Sequence, residues 1–88
     1  MSQNIGSINI FPSPATEYTQ VDITLTGNEK IRMMLMDAAG KTIETRTVNA
    51  TAGLTSERFD VSNLAAGVYH IAVTDSKNNS FVRRIVVN

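Results

Sequence analysis

Cysteine is absent from this 88-residue chain, and so is tryptophan. Without cysteine no disulfide can brace the fold, and no thiolate is available as nucleophile or metal ligand. Stability must come from packing and hydrogen bonds alone. Aromatic residues are scarce, three Phe and two Tyr, so a carbohydrate site built on exposed rings has little to draw on. A surplus of one charge sign is also missing, since eight Lys and Arg face eight Asp and Glu. That balance lacks the basic excess that nucleic acid or an anionic membrane usually demands. Neither nucleic acid nor direct membrane insertion is expected, because apolar runs fall far short of the ~20 residues that span a bilayer. Met1–Ser7 has no basic n-region and no apolar h-region, so it does not read as a signal peptide. It reads as a linker or as residues added ahead of a domain expected over 8–88.

What the chain does have is period-two alternation. Hydrophobic residues make up 42% of it, enough for one folded domain of this length. Val21, Ile23 and Leu25 alternate with Asp22, Thr24 and Thr26, the pattern of a strand with one buried face. Ile31, Met33 and Leu35 mark a more central strand, and Tyr69, Ile71 and Val73 repeat the alternation. Strands are expected over Ile8–Phe11, Gln20–Thr26, Lys30–Asp37, Lys41–Asn49, Ser56–Val61, Val68–Asp75 and Phe81–Val87. About seven short alternating strands point to an all-β, immunoglobulin-like antiparallel sandwich, though one without the Cys–Trp–Cys core of true immunoglobulin domains.

The punctuation agrees with that architecture. Asp37-Ala38-Ala39-Gly40 is expected to form a tight hairpin with a bulge at Gly40, where a missing Cβ permits positive φ. Asp75–Ser80 reads as a second hairpin turn, and Ser62–Ala66 as a single turn too short for an independent helix. Pro12 and Pro14 each fix φ and remove a backbone donor, so the first strand should stop there and continue as extended polyproline-like chain.

Catalytic chemistry finds little to work with. His70 is the sole histidine, and a base of this type needs a nucleophile and an orienting acid beside it. Ser62 and Asp60 are available, but no spacing singles them out, and His70 is expected to face solvent or the sandwich rim. The carboxylates are scattered, and a glycosidase-like pair would need a cleft that a chain of this size has little room to build. Asp75, Asn78 and Asn79 offer oxygen ligands in one loop, yet the EF-hand pattern is missing and polar turns use the same residues. No cofactor, metal or enzymatic activity is expected.

Three segments and a closing strand, taken in order, resemble one family. Ile8-Asn9-Ile10-Phe11-Pro12-Ser13-Pro14-Ala15-Thr16 is similar to the opening of the C-terminal sorting domains of the type IX secretion system of Bacteroidetes. Those domains begin with an apolar strand, a Tyr- or Phe-Pro-Asn-Pro turn and Ala-Thr. Asp37-Ala38-Ala39-Gly40-Lys41 resembles their Asp-x-x-Gly-Lys hairpin. Leu64-Ala65-Ala66-Gly67-Val68-Tyr69 resembles their Leu-x-x-Gly-x-Tyr segment, and Arg83-Arg84-Ile85-Val86-Val87-Asn88 resembles their closing basic strand. Ser13 stands where the family more often has Asn, and Asn88 where it more often has a basic residue.

The resemblance implies Pro12, Pro14, Asp37, Gly40, Lys41, Leu64, Gly67, Tyr69 and Arg83 to Asn88 as signal residues. It implies a non-catalytic signal that carries an upstream cargo through the periplasm to the outer membrane, the cell surface or beyond. The expected partners are the type IX translocon, an outer-membrane shuttle protein and a sortase that removes the domain and joins the cargo to lipopolysaccharide. Cleavage would fall near or upstream of Met1–Ser7, and the precursor's signal peptide would lie far upstream. A second reading of the same strand pattern is an immunoglobulin- or fibronectin-like module for carbohydrate or adhesion, with Tyr18 as the available ring.

Overall fold

The computed structural model describes residues 4–88. It contains seven strands: β1 (Ile5–Phe11), β2 (Tyr18–Leu25), β3 (Glu29–Asp37), β4 (Thr42–Ala50), β5 (Gly53–Asp60), β6 (Gly67–Thr74) and β7 (Ser80–Val87). They form a three-stranded sheet in the order β1-β2-β5 and a four-stranded sheet in the order β4-β3-β6-β7. Every strand pair within the sheets is antiparallel. This is the all-β sandwich expected from the alternation.

Each inner face is supplied by alternate residues, as the pleat requires. The three-stranded sheet contributes Val21, Ile23 and Leu25 from β2 and Phe59 from β5. The four-stranded sheet contributes Ile31, Met33 and Leu35 from β3, Tyr69, Ile71 and Val73 from β6, and Ile85 and Val87 from β7. Burying one such aliphatic side chain contributes roughly 1.5–3 kcal/mol, so these few residues carry most of the driving force.

β1 begins three residues before its expected start, and a bulge explains why the period hid it. Ile5 pairs with Leu25 but Ser7 pairs with Thr24, which leaves Gly6 as the extra residue. Ile5 and Ile8 are an odd number of residues apart, yet both pack against the core, because the bulge reverses the parity between them. Residues 1–3 of the expected linker lie outside the described residues.

β5 also begins three residues before its expected start. Ahead of Phe59 its inner positions are Thr55 and Glu57, both half-buried. They carry no apolar alternation for a sequence pattern to register. Glu57 is held by Arg46 of β4, whose Nη1 donates to Glu57 Oε1 at 3.2 Å and to the Arg58 carbonyl at 2.7 Å. Arg46 also pairs with Glu44, and its guanidinium stacks 4.3 Å from the centre of the Phe59 ring. Burial lowers the Arg46 pKa, but its bonds to Glu44 and Glu57 outweigh that and raise it. This half-buried ion cluster closes the flank where the β4 and β5 edges of the two sheets meet. Charges pointing inward at an edge also discourage a foreign strand from pairing there.

Candidate functional site at the C-terminal end of the sandwich

The strand directions gather distant parts of the chain. β1 ends at Phe11 and β2 starts at Tyr18; β3 ends at Asp37 and β4 starts at Thr42. β5 ends at Asp60, β6 starts at Gly67 and β7 ends at Val87. Consequently Pro12–Glu17, the Asp37–Lys41 turn, the Val61–Ala66 connection and Asn88 share one end of the sandwich. The opposite end holds Asn4, the β2–β3 and β4–β5 connections and the Asp75–Asn79 turn. Every segment singled out for its resemblance therefore contributes to the same end.

The Asp37 turn is built by its own first residue. Asp37 Oδ1 accepts from the Ala39 amide at 3.0 Å and the Lys41 amide at 2.9 Å. The backbone closes the hairpin, with the Asp37 amide donating to Lys41 O at 2.9 Å and the Gly40 amide to Asp37 O at 3.0 Å. Gly40 has φ +89°, a conformation a Cβ disfavours. Asp and Gly are thus needed for the turn, and Lys41 contributes its backbone to it. β4 carries an irregularity beside this turn, where Leu35 pairs with Glu44 and Met36 with Thr42.

Asp75–Asn79 repeats the device at the other end. Asp75 Oδ1 accepts from the Lys77 and Asn79 amides at 2.9 Å each, and Oδ2 accepts from Asn79 Nδ2 at 3.1 Å. Asn78, at φ 65°, stands where Gly40 stands in the first turn. Both carboxylate oxygens of Asp75, the one acid of that loop, accept bonds that close this hairpin.

Leu64-x-x-Gly67-x-Tyr69 is a corner brace. Leu64 packs against the core from the β5–β6 connection. Its amide donates to the Val61 carbonyl at 3.1 Å, forming the single turn expected there. Tyr69, only 8% exposed, buries its ring while its hydroxyl donates to the Ala65 carbonyl at 2.6 Å. A tyrosine at the start of this strand whose hydroxyl reaches back to the preceding connection is the tyrosine corner of immunoglobulin-like sandwiches. Asp60 caps the same connection, with Oδ1 accepting from the Ser62 amide at 2.9 Å and its hydroxyl at 2.6 Å. The Ser62 hydroxyl and amide bonds hold the Asp60 carboxyl below its usual range.

The proline segment crosses from one sheet to the other. Both Phe11–Pro12 and Ser13–Pro14 peptide bonds are cis, and the chain bends here instead of continuing as the expected polyproline-like extension. Ala15, fully buried, pairs in parallel with Val87. Its amide donates to Val86 O at 2.8 Å, and the Asn88 amide donates to Ala15 O at 2.9 Å. The Val86 amide donates to Ser13 Oγ at 3.2 Å, so Ser13 does hold a side-chain contact at this turn. β7 is an edge strand of its sheet, but this crossing covers the C-terminal part of that edge. Ala15 stands in the opening motif of the sequence, but its burial and its pairing with Val87 leave no signal there beyond its small size.

The closing strand divides its residues among different environments. Ile85 and Val87 are core residues, Val86 is half-buried on the outer face, and Arg83, Arg84 and Asn88 are exposed. Arg83 Nη1 donates to the Val82 carbonyl at 3.2 Å. The two arginines point to opposite faces, as alternation requires.

Two shallow depressions flank this end. One, of about 290 Å³, lies between the Asp37 turn and the Tyr69 corner and is lined by Asp37, Ala39, Gly67 and Tyr69 among others. The other, of about 540 Å³, is lined by Glu17, Tyr18, Arg58, Asp60 and Ser62. In the latter, Arg58 lies 3.9 Å from the centre of the Tyr18 ring, which occupies one ring face that a sugar would otherwise stack on.

The residues considered for catalysis are not assembled. His70 lies on the outer side of the four-stranded sheet, paired with Arg84 and Met36, whereas Asp60 and Ser62 bond each other at the end of β5. A comparison with curated proteins finds no match. Residues 9–88, nearly the whole chain, match the family described as the secretion system C-terminal sorting domain, and the chain therefore belongs to that family, the C-terminal sorting domains of type IX secretion.

Proposed function

We propose that this domain is read as a folded unit, by the surface its C-terminal end presents, and that the cargo it addresses is attached at the other end. The observation that carries this is the convergence of the Pro12–Ala15, Asp37–Lys41 and Leu64–Tyr69 segments with Asn88 on one end, while β1 starts at Ile5 on the opposite end. The domain is 36 Å along its longest axis. A cargo entering at Asn4 leaves the gathered segments open to a partner. Much of the sequence signal then acts by holding shape. Asp37, Gly40, Leu64 and Tyr69 set two connections, while Arg83, Arg84 and Asn88 supply exposed chemistry.

In this reading the translocon and an outer-membrane shuttle protein receive the domain after transit through the periplasm. A sortase then cleaves in the chain ahead of β1, near or upstream of Met1–Ser7, and joins the cargo to lipopolysaccharide at the cell surface. Chain ahead of a first strand suits a protease, because cleavage there breaks no core contact.

The test is a reporter joined ahead of the full 88-residue chain in a bacterium with type IX secretion. The reporter should reach the surface or the medium. A second folded domain appended after Asn88 should hold it in the periplasm, whereas the same domain added ahead of the chain should not. Mass spectrometry of the exported reporter should place the new terminus before Ile5. Retention of the unmodified fusion in the periplasm would overturn the proposal.

A further inference from the structure

The outer face of the four-stranded sheet differs in its charge from the outer face of the three-stranded sheet. Its outward positions are Lys30, Arg32, Met34 and Met36 on β3, Thr42, Ile43, Thr45, Thr47 and Asn49 on β4, Val68, His70, Ala72 and Thr74 on β6, and Ser80, Val82, Arg84 and Val86 on β7. None of these is Asp or Glu. Three are Lys or Arg, in a chain whose formal charge is zero. The acids that balance them therefore lie elsewhere, such as Asp22 and Asp60 on the three-stranded sheet.

An apolar stripe crosses the same face. The register places Met34 beside Ala72 and Ala72 beside Val82, with Val68 beside Val86. Val82 is 51% exposed, Ile43 42% and Val68 38%. The outer face of the three-stranded sheet is organised differently, with polar side chains bonded to one another. There Gln20 and Ser56 both donate to Asp22, and Arg58 donates to Gln20.

From this pattern we infer that the outer face of the four-stranded sheet is a docking surface for a protein partner whose apolar patch is rimmed by carboxylates. The inference rests on the sorting function proposed above and extends its contact from the C-terminal end, with which it shares Val68 and Arg84, onto this face. Charge complementarity selects the partner's rim: Lys30, Arg32 and Arg84 surround the stripe, and the one acid lining the depression beside Lys30 and Arg32 is Asp75, whose carboxylate closes its own turn. A second copy of this chain is a poor occupant, because a two-fold interface would set these cations against their own equivalents. A membrane is also a poor occupant. The face carries no Trp, Tyr, Phe or Leu to enter the headgroup region, and three cations give only weak attraction to anionic lipid. Methionines at the centre suit a protein surface, since their flexible side chains adapt to an opposing shape.

The test uses the reporter joined ahead of the full chain, with substitutions Val82→Glu and Arg32→Glu/Arg84→Glu. The control is Leu54→Glu, which makes the same apolar-to-acid change on the outer face of the other sheet, where Leu54 is 67% exposed. Thermal melts of the purified domains confirm folding. Export should fall at least about tenfold for both four-stranded-sheet variants and stay near the parent level for Leu54→Glu, a difference of roughly 1.4 kcal/mol or more in partner affinity. Equal export by all variants would overturn the inference while leaving the sorting function intact, whereas failure of the parent fusion would overturn the sorting function itself. Two further results would also overturn it: sedimentation of the parent as a dimer that Val82→Glu dissociates, or flotation with phosphatidylglycerol vesicles that Arg32→Glu/Arg84→Glu abolishes.

Discussion

Replacing Tyr69 with phenylalanine removes one oxygen atom and leaves the ring that fills the core. The lost interaction is the 2.6 Å bond to the Ala65 carbonyl. A neutral hydrogen bond contributes about 0.5–1.5 kcal/mol net, and more when an acceptor is stranded away from water. Ala65 itself is exposed, so its carbonyl can recover a water molecule. The short bond favours the upper part of the range, and the recovered water limits the excess. A loss of about 1–1.5 kcal/mol is expected, close to a tenfold change in the folding equilibrium. For a domain of this size the melting temperature should fall by about 5–10 °C, and the urea midpoint by about 1 M with little change in slope. Circular dichroism melts of parent and variant measure this directly. A shift smaller than about 2 °C would refute the corner as a brace, whereas Tyr69→Ala should cost about 3–5 kcal/mol because it also empties a core site. That larger loss approaches the whole stability of a domain this small.

Other outcomes follow from the same geometry. Gly40→Ala places a Cβ at φ +89° and should cost about 1–2 kcal/mol by thermal melt, although beyond its chain neighbours nothing lies within 4 Å of that Cβ. Asn78→Val should cost a similar ~1–2 kcal/mol through the same backbone conformation, and Asn78→Gly almost nothing. Arg46→Ala removes charged bonds to Glu44 and Glu57 and the stack on Phe59, so a loss of about 1.5–3 kcal/mol is expected in urea unfolding, with Arg46→Met recovering part of it by covering the ring. Bonds from Ser76 and Asn4 hold the Glu29 carboxyl below its ordinary value of 4.5, and those from Ser62 hold Asp60 below 3.8. Groups lowered by folding stabilise above their unfolded pKa and lose that contribution as pH falls through the folded value. Melts taken from about pH 6 to about pH 3 should therefore decline on the acid side, and Glu29→Gln should flatten that decline.

Much of the sandwich was legible because one-sided burial leaves a period of two. β2, β3 and β6 are flanked by partners on both edges, and their inner faces are mainly rows of Val, Ile, Leu and Met, with Thr19 on β2 and Tyr69 on β6. The Asp37 and Asp75 turns were legible because side-chain capping and positive φ are local demands, met within five residues. The outlying strands were harder. β1 hides behind a bulge, and the inner face of β5 includes a glutamate whose burial depends on Arg46, eleven residues away in sequence.

The sequence by itself determined the strand count, the two Asp-led hairpin turns and the ordered segments that placed the chain in its family. Those properties depend on residues close together in the chain. Only the tertiary structure decided what the segments do. The alternating strand directions carry Pro12–Ala15, Asp37–Lys41, Leu64–Tyr69 and Asn88 to one end, and the Ala15 bridge covers the C-terminal part of the β7 edge. Within β7 the pleat and register send Ile85 and Val87 into the core and leave Arg83 and Arg84 exposed. The same register assembles Met34, Ala72 and Val82, from three strands, into one stripe on the outer face. Such placements arise from pairing between residues far apart in the chain, where no local pattern records the neighbour.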